Sequence, residues 1–404
     1  VCSSDLPIPN SFKVLPWAHK TGWIQCQPFY QSGENVLYDT RQQLQNALEK
    51  LSQKGFQMLC GLEVEFHIYR LRDSHFGTDL DPDAADWPGQ SPDVHLIHPG
   101  YNLLSENWFD MAEEPLRIVQ HTAQALGLPL MSLEIELGPS QVEAVFDVTD
   151  ALTAADNMVL FRNGVRQALR RAGYHATFMC RPPFENIMSS GWHLHQSLID
   201  TTSQQNAFMR STALADTLGN DARFTLSDVG AHYLAGLLKN AQGMTVFCTP
   251  TTNGFGRFKP NALAPQSVLW GRDNRGAMLR VIGQAGDAST RIENRLGEPA
   301  ANPYLYMASQ IHAGLQGMDE ALIPPLATDS PYADTHTTSS SQITRIPNTL
   351  GDALRALQEN SVMQEGFGSE FIRYYARIKN SELQRFEAAQ DKLEFQKREY
   401  FSRM

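Results

Sequence analysis

The sequence predicts an α+β protein, and three observations carry that reading. Stretches such as "QMLCGLEVEFHIYRL" alternate apolar and polar residues as a strand does, and "PLMSLEIELGPSQVEAVFD" folds two short strands about a Gly-Pro turn. Other stretches repeat apolar residues at helical spacing and are closed by Gly55, Gly127 and Gly173. The strands look mostly antiparallel and the helices stand apart from them, which is the α+β pattern.

Taken in order, Leu44, Ala47, Leu48 and Leu51 predict a helix over 40–54, and the first alternating strand follows it. Residues 75–100, rich in Asp, Pro, His and Gly, read as a long loop. A helix is expected over 109–127, the paired strands over 129–147, and a further helix over 150–173. "HATFMC" and "SGWHLHQSLID" read as strands and 226–242 as a helix. Turns and short strands fill 244–300, and a helix over 301–318 opens at Asn-Pro. Residues 322–348 look like an exposed loop; the tail from 350 is helical, with a polar surface stretch at 381–398.

Composition excludes several functions. The 404 residues are 42% hydrophobic and 19% charged, as in an ordinary globular protein. The net charge of −11 comes without any basic run, so no nucleic-acid partner is expected. No apolar run reaches the ~20 residues that span a bilayer, so no membrane partner is expected either. Cys2, Cys26, Cys60, Cys180 and Cys248 form no CxxC pair or even framework and read as reduced thiols, which points to the cytoplasm. "VCSSDL" matches the peptide a common sequencing adaptor would encode; residues 1–6 are expected to be an artefact and are set aside.

Charged residues recur on single strand faces. Glu63 and Glu65 share one, Glu134 and Glu136 another with Glu143 after the turn, and His193 and His195 a third. Arg291, Glu293 and Arg295 also alternate, either as a surface ladder or as the wall of a site handling several negative charges. Gathered carboxylates repel one another and persist where a cation neutralises them. Mostly carboxylate oxygens with an imidazole suit Mg²⁺ or Mn²⁺ better than zinc. Arg257, Arg272, Arg275, Arg280, Arg291 and Arg295 add permanent planar donors for carboxylates and phosphates. Together these are the parts of phosphoryl transfer, without a P-loop.

The order E-x-E, E-x-G-P-x-Q-x-E, G-x-H-x-H-x-S, N-x-x-x-R-F-x-P, N-R-x-x-x-x-R, then R-x-E-x-R…A-A-N-P-Y-L resembles the glutamine synthetase superfamily, from about Leu15 to the C-terminal helices. The resemblance implies a catalytic domain over 39–404, a curved antiparallel sheet with flanking helices, after a remnant of a β-grasp domain at 7–38. It implies two or more Mg²⁺ or Mn²⁺ ions per site, one on Glu65, Glu136 and Glu143, another on Glu63, His193 and Glu293. Arg257 and Arg295 would bind the carboxylates of glutamate, with Ser189, Gly191 and Leu263 lining the substrate site. Arg275, Arg280 and Arg291 would surround the transferring phosphate, and His195 and Ser197, with Arg280 and Arg291, would face ATP. Trp270 and the helix from Pro303 would be packing.

The chemistry implied is phosphorylation of the glutamate γ-carboxylate by ATP and capture of the acyl phosphate by an amine. Three departures shape it. Leu263 stands where the family carries a Glu that closes the ammonium pocket, which favours a bulkier, less charged amine. Met188 and Ser189 replace an Asn and a Gly beside the ligand histidine, so a carboxylate related to glutamate stays open. The first helix begins at residue 40, too early for a whole β-grasp domain. A γ-glutamylamide synthetase using a non-ammonia amine leads; an ordinary glutamine synthetase, a phosphagen-like kinase and a non-catalytic structural relative are the alternatives. Relatives form two stacked rings, so a homo-oligomer is expected.

Overall fold

The computed structural model describes residues 3–72, 87, 90–212, 221–259, 264–331 and 344–404. Near the start, β1 (Ser3–Pro7), β2 (Lys13–Val14), β3 (Gly22–Trp23) and β4 (Cys26–Tyr30) make two small antiparallel pairs, β1 with β4 and β2 with β3. Part of the hexapeptide set aside above is therefore a strand partner of Cys26–Tyr30.

The chain then alternates helices and strands. In order come α1 (Thr40–Gln53), β5 (Phe56–Leu71), β6 (Val94–Leu96), α2 (Glu106–Ala125), β7 (Leu130–Ile135), β8 (Gln141–Asp150), α3 (Ala151–Arg171), β9 (Tyr174–Thr177) and β10 (Trp192–Asp200). After them run α4 (Asp228–Lys239), α5 (Ala241–Cys248), β11 (Trp270–Arg272), β12 (Leu279–Ile282), β13 (Arg291–Gly297) and α6 (Pro303–Asp319). The tail is α7 (Leu350–Glu359), α8 (Ser361–Phe367), α9 (Ser369–Ala388) and α10 (Lys392–Gln396). Side-chain caps start most of the helices: Asp39, Ser105, Asp150 and Ser227 each accept from a backbone N–H of the first turn.

Among the described residues one nine-stranded sheet organises the fold, in the order β11-β12-β13-β10-β5-β8-β7, with β6 and β9 flanking the far end of β5. Every pairing is antiparallel except β11 with β12. The alternation read from the sequence sorts this sheet into two faces. Leu62, Val64, Phe66, Leu194, Ile292 and Leu296 are buried against the helices, each worth about 1.5–3 kcal/mol. The charged residues of the same strands take the other face. Behind the sheet, α6 is buried on nearly every side. Its Gln310 accepts from Asn294 at 2.7 Å, and Gln196 accepts from Tyr233 at 2.9 Å, so buried polar groups tie β10 and β13 to the helices.

Three expectations need correction. The segment from 244 begins as helix, because the helix expected over 226–242 breaks at Asn240 and resumes as α5. Asn240 ends α4 with its side chain donating to the Gly236 carbonyl, and the β-branched and aromatic run after it is buried helix. The strand over "HATFMC" stops at Thr177, whose hydroxyl takes the Met179 N–H at 3.2 Å. The polar stretch 381–398 is not all surface: Glu382 is buried and accepts from the Tyr400 hydroxyl at 2.5 Å.

Candidate active site

Strand register gathers the charged face. His193 stands opposite Glu63, His195 opposite Glu293, and Glu65 opposite Glu143. Nδ1 of His193 faces Glu63 Oε2 at 3.3 Å and Glu293 Oε1 at 3.6 Å, and its Nε2 lies 3.8 Å from Glu65 Oε1. Glu63 Oε1 is 3.0 Å from Nε2 of His195. Among the described residues two sets of donor atoms, Glu63–His195–Glu293 and Glu63–Glu143–His193, each fall within 4.8 Å of one another. His195 thus sits among the carboxylates rather than apart from them. Glu136 turns one oxygen to the Leu137 N–H at 3.0 Å and is half-buried.

The arginines close around Glu293. Arg295 donates to Glu293 Oε1, and Arg280 to its Oε2 at 3.0 Å while also pairing with Asp273. Nε of Arg291 donates to Nδ1 of His195 at 3.0 Å, which leaves the proton of that ring on Nε2, facing Glu63. Arg257 is buried, its Nη1 spent on the Arg295 and Gly297 carbonyls at 3.0 and 3.1 Å. A Cβ on Gly191 would lie 2.6 Å from the other Arg257 nitrogen, so only glycine lets this guanidinium pass. Arg275 is exposed, near enough for its charge to favour the ionised form of Glu136. Ser197 is half-buried two residues beyond His195 on the same strand face. Ser189 accepts from Arg181 at 3.5 Å; Leu263 lies outside the described residues.

Electrostatics divide the carboxylates into two kinds. Burial, then the charges of Glu65, Glu63, Glu136 and Glu134, pushes Glu143 up to about 10. Burial and Glu136 raise Glu65 to about 7 against the pull of Arg257. Burial also raises Glu136. Burial acts the same way on Glu63, yet hydrogen bonds from His193 and His195 hold it well below the ordinary carboxylate range. Glu293 is likewise lowered despite burial, by His193, Arg295 and His195. His193 itself drops to about 4 through burial and Arg295, so its ring is neutral and able to ligate. A neutral imidazole converging with carboxylates that repel one another fits a hard divalent cation.

Sequence reading singled out no role for Gln141, Glu134 or Arg181. Gln141 was visible only as a letter of the E-x-G-P-x-Q-x-E motif. Glu134 shared a strand face with Glu136, which was its signal. Arg181 follows a strand in an irregular segment and gave none.

Fold and site together define an enzyme that handles carboxylates and phosphates on an antiparallel sheet. The sequence profile of the glutamine synthetase catalytic domain matches residues 37–398, and the chain belongs to the glutamine synthetase family as an ATP-dependent carboxylate–amine ligase. It is 39% identical to a γ-glutamylanilide synthase from Acinetobacter sp. over 94% of this chain and 73% of that protein. It is 32% identical to the glutamine synthetase of Halobacterium salinarum over 95% of this chain and 80% of that one. The ligand-free structure of GmaS superposes with a TM-score of 0.77 at 27% identity, covering 97% of this chain and 84% of that one.

Proposed function

We propose that this protein joins the γ-carboxylate of glutamate to a non-ammonia amine at the expense of ATP. A γ-carboxylate oxygen attacks the terminal phosphorus of ATP, the β–γ P–O bond breaks, and ADP leaves. The amine nitrogen then attacks the acyl carbon, the C–O bond to phosphate breaks, and the nitrogen loses a proton. Activation is required because a carboxylate is a poor electrophile, whereas phosphate is a good leaving group.

The observation that carries this reading is β13. Its Arg291, Glu293 and Arg295 share one face with Glu63, Glu65, His193 and His195, so cationic donors and cation-binding oxygens border one space. Under this reading Arg257 and Arg295 hold the glutamate carboxylates, with Ser189 and Gly191 beside them. Arg275, Arg280 and Arg291 surround the transferring phosphate, and His195 and Ser197 face the nucleotide. Glu65, Glu136 and Glu143 would hold one Mg²⁺ or Mn²⁺, and Glu63, His193 and Glu293 a second. Bound there, the ions would neutralise phosphate charge. The 39% identity to a γ-glutamylanilide synthase supports the amine class, as does the apolar Leu263 where the family pattern leads one to expect a Glu.

Several wider readings belong to the same proposal. Residues 39–404 form the catalytic unit, preceded by β-grasp strands within 7–38. The enzyme works in the cytoplasm, and the full-length protein assembles as two stacked rings. Among the described residues, no helix is long and apolar enough to cross a membrane.

Oxygen transfer tests the central step. Glutamate labelled with ¹⁸O in its γ-carboxylate should pass one labelled oxygen to phosphate for each amide formed. ADP release with no amide, and with the label kept on a phosphorylated acid, would instead mark a kinase.

A further inference from the structure

The buried carboxamide of Gln141 reaches four partners on three segments. Its Nε2 donates to Glu65 Oε2 at 2.8 Å, to the Ser190 hydroxyl at 3.0 Å and to the Ser189 carbonyl at 3.3 Å. Its Oε1 accepts from the Gly138 N–H at 2.9 Å. A Cβ on Gly138 would lie 2.4 Å from that oxygen and 2.7 Å from Met188, so the turn is built around the amide. Ser190, whose oxygen receives the amide N–H, is 3.3 Å from Nδ1 of His67. The amide, the serine hydroxyl and the imidazole are thus linked in one chain.

The consequence falls on Glu65. Its Oε2 takes two donors, Gln141 Nε2 and the Gly191 N–H at 3.0 Å, while Oε1 is the oxygen nearer His193. We infer that Gln141 is a positioning residue that anchors Glu65 by one oxygen and thereby presents the other to a divalent cation. This rests on reading Glu65 as a cation ligand. Outer partners of this kind typically change cation affinity about 10–100-fold when removed. The same amide joins the β7–β8 turn to the 189–191 segment, so cation and substrate walls share one anchor.

Mn²⁺ alone is the probe, followed by the electron paramagnetic resonance signal of the free ion in titrations of nucleotide-free protein. Gln141→Leu should weaken the tightest Mn²⁺ site about 10–100-fold. Ser190→Ala, which leaves the amide in place, should weaken it less. Gln141→Met, closer in length and volume, replaces the leucine variant if that one does not fold. A purely structural role would lower the unfolding temperature and leave Mn²⁺ affinity unchanged, and that result would overturn the inference. Absence of any tight Mn²⁺ site in the unmodified protein would overturn it together with the ligand reading. Absence of amide synthesis by the unmodified protein, with Mn²⁺ affinity still dependent on Gln141, would contradict the proposed function alone.

Discussion

Glu143 and Glu293 face the same space from opposite electrostatic positions. Glu143 and Glu65 have folded-state values of about 10 and about 7, above the ordinary 4.5, so the fold binds protons that the unfolded chain has released. Their contribution to stability is complete below about pH 4.5 and is lost as pH rises toward 7 for Glu65 and 10 for Glu143. A divalent cation competes with those protons. The rise in unfolding temperature caused by Mg²⁺ or Mn²⁺ should therefore be larger at pH 8.5 than at pH 6, as thermal unfolding with and without the ion would show; a shift independent of pH would count against the cluster as its seat. Glu293 is fully buried between Arg280, Arg295 and His193. Glu293→Ala should cost about 3–5 kcal/mol in chemical denaturation as well as abolish amide synthesis, because it strands buried cationic charge. At this scale the sequence was informative, since period-two spacing put Glu63 with Glu65 and Arg291 with Glu293 and Arg295. Exact donor sets were not legible, because side-chain rotation decides whether Glu136 faces a cation or its own Leu137 N–H.

At the scale of elements, α4 and α6 pack with their backbones nearly touching. A Cβ on Gly317 would lie 2.0 Å from the His232 carbonyl, and one on Gly236 2.1 Å from the Ala313 carbonyl. Gly317→Ala should cost about 1–3 kcal/mol, read as a lowered denaturation midpoint, because neither helix can yield without disturbing Gln310 beneath β10 and β13. An unchanged midpoint would mean the helices slide freely. The start of α6 was legible, for Asn302 accepts from the Tyr304 and Leu305 N–H groups and Pro303 needs no donor at the first helical position. Strand partners were not legible. Alternation tells which face a residue takes, yet nothing in it says that β5 lies between β10 and β8 or that β11 runs parallel to β12. The break at Asn240 was missed because "TVFC" favours a strand locally, and burial against α7 and α6 prevails over that preference.

For the whole molecule, the charged motif residues of β5, β8, β10 and β13 converge because one sheet brings distant strands side by side. That is why the family was readable in the sequence while each motif alone was weak. Amine choice is the property that this scale must explain. Under the proposed function, an apolar Leu263 where the family pattern leads one to expect a Glu would weaken attraction for a small cation and favour a larger, less charged amine. The most direct measurement supplies the enzyme with ATP, Mg²⁺, L-glutamate and equal concentrations of ammonium and of one alkyl, aryl or hydroxyalkyl amine at a time, and quantifies the amides by mass spectrometry. The γ-glutamylamide of at least one larger amine should exceed glutamine by tenfold or more, equivalent to about 1.4 kcal/mol of discrimination. Glutamine as the dominant product against every amine would contradict the account and make this an ordinary glutamine synthetase.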